Sequence, residues 1–251
     1  MKILVIGGTG LIGSKLVQAL TERGHDAVAA APSTGVNTFT GAGLAEAVAG
    51  ASVVVDVSNS PTLDDSALEF FRTATTNLLT AELDAGVAHH VALSVVGTAE
   101  LAPHSGYFQA KLVQEELIAD GPIPFSIVHA TQFFEFLATL ADSATVDDTV
   151  VLPPKFFQPM AAADVAEGVA IAAVGDPVNG IVEIGGPDMV LLPDLIRTAL
   201  TARGDSRTVV ADPAAQYWGI DIGERTLVPG PGATLFDTRF EDWILQTAAR
   251  S

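Results

Sequence analysis

The apolar positions of the chain alternate between the period of a strand and the period of a helix. Residues 2–6 form a short apolar run without helical spacing, which predicts a buried strand. A helical period follows at Leu11, Ile12, Leu16, Val17 and Leu20. This helix is expected to end at Gly24, and residues 25–30 predict a second strand. The chain therefore begins with a predicted β-α-β unit.

The same alternation continues to about residue 130. Residues 44–49, 64–84 and 105–119 predict helices, and residues 52–57, 91–96 and 124–129 predict strands. Residues 31–40 are loop-like, with a vestigial strand expected at 36–39. Regular alternation of strands and helices predicts a doubly wound parallel α/β sheet with helices on both faces.

The rhythm changes after residue 130. The pattern predicts helices at 131–140, 192–202 and 240–249, and a further helix that runs to 174 with Asp164 as its N-cap. Strands are predicted at 150–152, 180–184 and 207–211, with an extended loop at 155–162. We therefore expect a dinucleotide-binding domain at 1–130 and a small substrate lobe at 131–251, partly integrated with the first.

Three glycines stand between the first strand and the first helix. Gly7 permits a sharp turn, Gly10 removes a Cβ from the path of a phosphate, and Gly13 permits close packing of helix on strand. The free N–H groups of a first helical turn favour a diphosphate. The turn, with Thr9, Leu11 and Ile12, is therefore predicted to bind a dinucleotide; the alternative is a turn that only joins two core elements.

The run Gly-Gly-Thr-Gly-Leu-Ile-Gly at 7–13 resembles the short-chain dehydrogenase/reductase superfamily. It is most similar to the atypical and extended branches, including the NmrA-like NAD(P)-binding proteins. Residues 76–79 and 158–166 also resemble stretches of these proteins. The resemblance is strong to about residue 135 and implies a Rossmann fold that binds NAD or NADP.

Composition and charge narrow the classes of partner. The 251 residues are 49% hydrophobic and carry a net charge of −18, which argues against nucleic acid or an anionic membrane surface. The absence of cysteine excludes disulfides and thiolate chemistry. Neither a signal peptide nor a bilayer-spanning run is found, so a soluble cytoplasmic protein is expected. His89 and His90 are adjacent, so on a strand they would face opposite ways, and no metal site is predicted.

The loop after the second strand bears on the choice of cofactor. Neither Asp, Glu nor Arg occurs between residues 27 and 40, so the usual signals for NAD and for NADP are both missing. Ser33 and Thr34 are available to bind a 2′-phosphate that no carboxylate repels. NADP is therefore favoured over NAD. In the resembling families the loop with Ser58 and Asn59 lies over the adenine-ribose side of the cofactor.

Tyr107 and Lys111 are four residues apart on a predicted helix and therefore share one face. Ser94 ends the strand before it, at the edge of a parallel sheet where ligands bind. An ammonium beside a phenol is expected to lower the pKa of Tyr107 toward neutrality. The resemblance makes Tyr107 the proton donor, Lys111 its activator and a ribose ligand, and Ser94 the ligand of the substrate oxygen. The alternative is a surface tyrosine stacked on a lysine stem.

Other polar residues flank this set. In the resembling families the loop after the next strand meets the nicotinamide, which assigns Thr131 and Gln132 to the cofactor's carboxamide or to substrate. His129 is expected to be a positioned loop residue rather than a catalyst. Asn77 is either a fourth polar member of the set or a residue with a structural role.

These observations support one main hypothesis and two alternatives. The first is an NAD(P)H-dependent oxidoreductase that reduces a carbonyl, a quinone or a similar small apolar acceptor. One alternative is an NmrA-like regulatory protein that senses the dinucleotide without turnover. The other is a nucleotide-sugar epimerase or dehydratase. A small-molecule substrate is expected in the first and third cases, and the oligomeric state is left open.

Overall fold

The computed structural model describes residues 1–62 and 66–248. The strands are β1 Lys2–Ile6, β2 Asp26–Ala30, β3 Val53–Asp56, β4 His89–Val95, β5 Phe125–Ala130, β6 Thr145–Val146, β7 Thr149–Leu152, β8 Phe156–Phe157, β9 Gly180–Gly185, β10 Val190–Leu191, β11 Thr208–Ala211 and β12 Thr234–Leu235. The α-helices are α1 Leu11–Glu22, α2 Leu44–Val48, α3 Ser66–Ala85, α4 Thr98–Leu101, α5 Gly106–Ala119, α6 Leu137–Ser143, α7 Ala162–Val174, α8 Leu192–Ala202 and α9 Phe240–Ala248.

The largest sheet has seven strands in the order β12-β9-β5-β4-β3-β1-β2. Strand β1 pairs in parallel with β2 on one side and with β3 on the other, and β3 pairs in parallel with β4. This order, with helices between successive strands, is the doubly wound α/β sheet that the sequence predicts, and the prediction is confirmed. The carboxyl ends of β1, β3 and β4 therefore lie along one edge, where the predicted site residues begin.

Contacts divide the chain into two compact units. The first comprises Met1–His129 and Val165–Val182, and the second comprises Ala130–Asp164 and Glu183–Ser251. The first boundary falls beside the predicted one, whereas the first unit also takes in most of α7, which was assigned to the C-terminal lobe. The assignment of residues 1–130 to a dinucleotide-binding domain and of 131–251 to a substrate lobe stays a prediction.

The core of the first unit is built from the two faces of its sheet. Leu4 and Val54 are fully buried between β1, β3 and helix α2, where they pack with Val48. Apolar strands buried on both faces are typical of a parallel sheet covered by helices, which is why these strands are continuous apolar runs. The core thus holds the strand ends that carry the site.

Adjacent histidines on β4 face opposite sides of the sheet, as predicted. His89 Nε2 lies 2.9 Å from the hydroxyl of Ser126, whose oxygen also accepts the N–H of Val178 at 3.2 Å. His90 Nδ1 lies 2.9 Å from the carboxylate of Glu82 on α3. Burial lowers the pKa of His89 to about 4. Burial opposes the charged form of His90 as well, but the charge of Glu82 and its hydrogen bond raise the pKa of His90.

The segment after β2 differs from the prediction. Residues 36–39 form no strand; a 3-10 turn at Pro32–Thr34 is followed by an isolated bridge between Asn37 and Ala42. Asn77 on α3 donates to the carbonyl oxygens of Thr38 and Phe39 at 2.8 and 3.1 Å. These two hydrogen bonds give Asn77 a structural role, because both of its amide N–H groups bind the loop.

The second unit is less regular than its sequence pattern predicted. Residues 131–140 are not one helix: a 3-10 turn at Phe134–Phe136 precedes α6. Asp164 is not an N-cap, because α7 begins at Ala162 and Asp164 accepts from the hydroxyl of Thr238 at 3.0 Å. The predicted starting residue of the long helix at 64, and the last residue of the final helix at 249, lie outside the described residues.

Candidate functional site

The glycine turn between β1 and α1 is shaped by backbone contacts that leave no room for side chains. Gly7 has a φ of +77°, and a Cβ there would lie 2.9 Å from the backbone of Ser58. A Cβ on Gly13 would lie 2.1 Å from the carbonyl oxygen of Gly7. Gly8, which the sequence reasoning did not single out, is equally confined, since its Cβ would lie 2.7 Å from the carbonyl oxygen of Val5. These contacts fix the path of the chain from strand to helix.

Gly10 differs from its neighbours because it faces open space. A Cβ on Gly10 would meet a single backbone atom, the carbonyl oxygen of Gly7 at 3.3 Å. Gly10 is also the N-cap of α1, with no side-chain cap and no acidic residue in the first turn. The N–H groups at Leu11 and Ile12 thus begin a helix whose positive end no carboxylate of that turn offsets. The turn fits a diphosphate, which needs both the space and the donors.

The two predicted ligands in the loop after β2 differ in what their hydroxyls do. Ser33 Oγ lies 3.5 Å from Thr9 Oγ1, so the loop and the glycine turn present two hydroxyls side by side. The hydroxyl of Thr34 instead closes its own turn, accepting the N–H of Ala31 at 2.9 Å and donating to its carbonyl oxygen at 3.0 Å. Ser33 is therefore the better placed of the two for a ligand.

The loop after β3 passes directly beside the glycine turn. Asp56, at the end of β3, accepts the N–H of Ser58 at 2.9 Å. Asn59 accepts the N–H of Ser60 through Oδ1 at 3.0 Å, which leaves its amide nitrogen to donate. A side-chain hydrogen bond joins Asn59 to Tyr107. Ser58 and Asn59 thus connect the predicted cofactor turn with the predicted proton donor.

Tyr107 lies in the first turn of α5, against aromatic neighbours. Its ring centroid is 5.5 Å from that of Phe108 and 6.3 Å from that of Phe71. Burial raises the pKa of Tyr107 to about 12, and the hydrogen bond with Asn59 only partly opposes this. The expectation of a lowered pKa is therefore wrong for this geometry, because desolvation of the phenolate dominates.

Lys111 is buried and turned toward the sheet. Its ammonium donates to the carbonyl oxygen of Leu93 at 2.8 Å and to the amide oxygen of Gln114, and lies 4.7 Å from the ring centroid of Phe71. Burial lowers the pKa of Lys111 to about 8, while the charges of Asp56 and Glu115 oppose the shift. A lysine of this kind exchanges its proton close to neutral pH.

Ser94 is committed to a buried cluster. Its hydroxyl donates to the carboxylate of Glu115 on α5, and the same carboxylate oxygen lies 3.0 Å from His129 Nε2. Ser94, Glu115 and His129 are 3%, 6% and 6% exposed. His129 lies within β5 and not in a loop as predicted, and its partner is Glu115. The hydroxyl proton of Ser94 is already donated, so this geometry does not offer it to a substrate oxygen.

Thr131 and Gln132 belong to the second unit. Within the described residues, the hydroxyl of Thr131 has no hydrogen-bond partner, and neither has the amide oxygen nor the amide nitrogen of Gln132. Buried polar atoms without partners are costly, so they point to a ligand or water that the protein is built to receive. Their assignment to the cofactor's carboxamide or to substrate stays a prediction.

The residues that sequence reasoning missed are the partners of the predicted set. Asp56, Gln114 and Glu115 form the buried polar contacts of Lys111 and Ser94. The available signal was helical spacing, because Gln114 follows Lys111 by three residues, on the same face. Among the described residues, no group of three or more His, Asp or Glu has the arrangement of a metal site. No described helix is both long and apolar enough to cross a membrane.

Comparison with known families covers the part of the chain that holds the site. Residues 3–121 match the profile of the NAD dependent epimerase/dehydratase family. The matched range contains the glycine turn, Ser94, Tyr107 and Lys111. A search of curated protein sequences finds no significant relative.

Solved structures share the fold along the full chain. MoeE5 in complex with UDP-glucuronic acid and NAD is similar with a TM-score of 0.74 and 18% identity, over 100% of both chains. A short-chain dehydrogenase/reductase superfamily protein from Agrobacterium tumefaciens with bound NAD gives 0.74 and 18%, over 100% of this chain and 96% of the other. A dTDP-4-dehydrorhamnose reductase from Clostridium acetobutylicum gives 0.70 and 17%, over 100% and 99%. At these identities the likeness shows a common fold.

Proposed function

We propose that this chain is a nicotinamide-dinucleotide-dependent enzyme of the epimerase/dehydratase type, with a nucleotide-linked sugar as its substrate. The observation that carries the proposal is the glycine turn: Gly7 and Gly13 have no room for a Cβ, and Gly10 leaves open space that suits a diphosphate. This turn lies inside the range that matches that family. The similar MoeE5 structure holds a nucleotide sugar and NAD. This function replaces small-carbonyl reduction as the first choice.

The residues present fit the cofactor. The N–H groups at Leu11 and Ile12 would receive the diphosphate, and the hydroxyls of Thr9 and Ser33 would reach the adenosine end. When bound, the dinucleotide supplies the hydride acceptor or donor of the reaction. A preference for NADP remains part of the proposal, and it rests on the lack of any carboxylate in the loop around Ser33.

Tyr107 is the residue that would exchange a proton with the substrate oxygen. It stands at the start of α5, bonded to Asn59 in the loop beside the glycine turn. Hydride transfer to or from a carbon must be matched by proton transfer at its oxygen, and a phenol at this place supplies that proton. Lys111, one helical turn along, is the nearby cation of the same set.

A second candidate is reduction of a small apolar carbonyl or quinone. Two observations favour it: Tyr107 packs against the rings of Phe71 and Phe108, and burial raises its pKa to about 12. A phenol that keeps its proton at neutral pH is suited to donating it, as reduction requires. An epimerase or dehydratase must first remove a proton from a sugar hydroxyl.

Binding and net redox change separate these functions. Purified protein is titrated with NADH and NADPH, and then incubated with UDP-glucose, UDP-glucuronic acid or a panel of quinones and aldehydes. A new sugar product without net change in nicotinamide absorbance supports the epimerase/dehydratase type. Oxidation of NAD(P)H by a small acceptor supports the second candidate. Binding without any turnover supports the dinucleotide sensor, and failure to bind either nucleotide contradicts all three.

Tyr107→Phe tests the assignment of the proton donor. The substitution removes one hydroxyl, so nucleotide affinity is expected to stay within about threefold while kcat falls by about 100- to 10,000-fold. Tyr217→Phe is the matched control, since Tyr217 lies in the second unit and is the other tyrosine of the chain. Turnover that survives in Tyr107→Phe would remove Tyr107 from the mechanism.

A further inference from the structure

The ammonium of Lys111 bonds the side chain of Gln114, which in turn bonds the carboxylate of Asp56. Of its three N–H donors, one goes to the carbonyl oxygen of Leu93 and one to the amide oxygen of Gln114. The third has no hydrogen-bond acceptor within the described residues. Lys111 and Gln114 are only 3% and 1% exposed, so water does not substitute for these contacts.

Gln114 passes the connection on to β3. Its amide nitrogen donates to Asp56 Oδ2 at 2.9 Å, while its amide oxygen receives Lys111. A side-chain amide accepts at its oxygen and donates at its nitrogen without carrying charge, so Gln114 links the cation to the anion without direct contact between them. Asp56 is 4% exposed, and its carboxylate therefore balances the buried ammonium through Gln114.

Asp56 also fixes the loop beside the cofactor turn. Its second oxygen, Oδ1, accepts the N–H of Ser58 at 2.9 Å. Ser58 is the residue whose backbone would collide with a Cβ on Gly7 at 2.9 Å. One carboxylate thus holds the lysine, through Gln114, and the segment that packs on the glycine turn.

We propose that Asp56 and Gln114 are positioning residues of this site: they hold Lys111 so that its third N–H is available to a bound dinucleotide, and they link it to the glycine turn. The inference rests on the proposed cofactor, but the geometry of the three side chains does not. The third N–H exists only in the ammonium form of Lys111, and the negative charge of Asp56 stabilises that form.

The charged and titratable groups that face Lys111 come from every element around it. Asp56 on β3 and Glu115 on α5 are the charges that act on Lys111; His129 on β5 contacts Glu115, and Tyr107 lies one turn earlier on α5. Burial brings the pKa of Lys111 down to about 8, and Asp56 opposes that fall. Removing the charge of Asp56 should therefore lower the pKa further.

The titration of Lys111 is measured directly by NMR of protein labelled with 13C at the lysine ε carbons. The chain has four lysines, at positions 2, 15, 111 and 155, so the spectrum is simple and Lys111→Met assigns the signal. In Asp56→Asn, an isosteric change, the midpoint of Lys111 is expected to move to lower pH by about one unit. Glu116→Gln, an exposed neighbour on the same helix, should leave it unchanged. An unchanged midpoint in Asp56→Asn overturns the proposal.

Gln114→Met keeps the inference testable if Asp56→Asn does not fold. Methionine fills a similar volume but joins neither Lys111 nor Asp56, so the Lys111 midpoint is again expected to fall. Nucleotide affinity, measured from pH 6 to pH 9, gives the second readout. Wild-type affinity should weaken as pH rises through about 8. In either variant the same loss should begin at lower pH, with affinity about twofold weaker than wild type at pH 7 and up to about tenfold weaker at pH 9.

The two readouts separate the two proposals. If no nucleotide binds but the midpoint shifts as expected, the cofactor proposal fails, and the role of Asp56 and Gln114 in holding Lys111 stands. If nucleotide binds and both variants match the wild-type midpoint and pH dependence, the positioning role fails and the cofactor proposal stands. A uniform loss of stability without any pH shift also counts against the positioning role.

Discussion

The glycine turn and the tyrosine–lysine helix are two halves of one predicted site, built by different means. The turn at residues 7–13 is made of backbone, with Gly13 pressed against the carbonyl oxygen of Gly7. The helix α5 presents side chains, and their partners come from distant parts of the chain: Gln114 bonds Asp56, 58 residues away. The first half is local and rigid by sterics, whereas the second depends on buried polar contacts.

This difference decides what each half tolerates. A backbone turn is destroyed by added volume, since nothing near it is free to move. A buried polar network is instead damaged by the loss of a partner, because the group left behind has neither water nor a hydrogen bond. Substitutions of the two kinds should therefore separate nucleotide binding from the state of the predicted catalytic side chains.

The largest effect is expected from Gly13→Ala. Its Cβ would stand 2.1 Å from the carbonyl oxygen of Gly7, so the turn must open. Unfolding free energy should fall by at least about 3 kcal/mol, and nucleotide binding should be lost. Gly180→Ala is the control, because the nearest atom to its Cβ lies at 3.8 Å. Urea unfolding with nucleotide titration checks both, and a Gly13→Ala protein that binds normally would contradict the backbone account.

Glu115→Ala comes next and acts on the other half. It leaves Ser94 and His129 without their shared partner in a buried cluster, at a cost of about 3 kcal/mol in unfolding free energy. Ser94→Ala should cost only about 1 kcal/mol, since it removes one hydroxyl. Urea unfolding checks the order. Glu116→Ala, exposed on the same helix, should be nearly neutral, and equal losses at 115 and 116 would refute the role of the cluster.

A smaller effect is expected at alkaline pH, where the free energy of unfolding should first rise and then fall. The pKa of Lys111 is lowered by burial to about 8 in the folded protein, so unfolding takes up a proton between about pH 8 and 10.5 and stability should rise there. The pKa of Tyr107 is raised to about 12, so stability should fall between about pH 10 and 12. Unfolding free energy measured across this range should pass through a maximum near pH 10. Lys111→Met should lack the rise, and a rise that persists there would assign it to another group.

The smallest effects distinguish the two hydroxyls beside the glycine turn. Ser33→Ala should weaken NADPH binding by less than about tenfold and leave stability unchanged, because Ser33 lies beside Thr9 on the surface. Thr34→Val should do the reverse and destabilise by about 1 kcal/mol, since it opens the turn closed by Ala31. Nucleotide titration and thermal unfolding of the pair check this. Unchanged NADPH affinity in Ser33→Ala would mean that its hydroxyl meets no ligand.

Sequence alone predicted the parts of the molecule that depend on local rules. The bounds of β1 and α1, and the helix at 192–202, follow from period and from glycine stops, which act within a few residues. The second unit was harder. Gln132 and the residues around it read as helical by composition, but Met160 donates its N–H to the carbonyl of Gln132 at 2.9 Å, which replaces the helical bond.

For the site as well, the sequence predicted what depends on local spacing and not what depends on distant contacts. Tyr107 and Lys111 were assigned to the site from their spacing, because a helix places such residues on one face, and that assignment stays a prediction. Their protonation could not be predicted that way, since burial in the folded protein raises the pKa of Tyr107, and Phe71, a ring neighbour of Tyr107, lies far from it in sequence. The partner of Ser94 was missed for the same reason.

The two histidines of β4 give the sheet an unequal response to acid. His89 stays neutral down to about pH 4 in the folded protein, whereas an unfolded chain takes up its proton near pH 6.5. The free energy of unfolding therefore falls as pH falls from about 6.5 to 4. The contact concerned is that of His89 with the hydroxyl of Ser126, whose oxygen also accepts the N–H of Val178. On the opposite face, burial raises the pKa of Glu82, and Glu82 raises the pKa of His90, so both groups take up protons more readily in the folded protein than in the unfolded chain. The cost of acid therefore falls on the contact between β5 and the turn before β9, and not on the contact between β4 and α3.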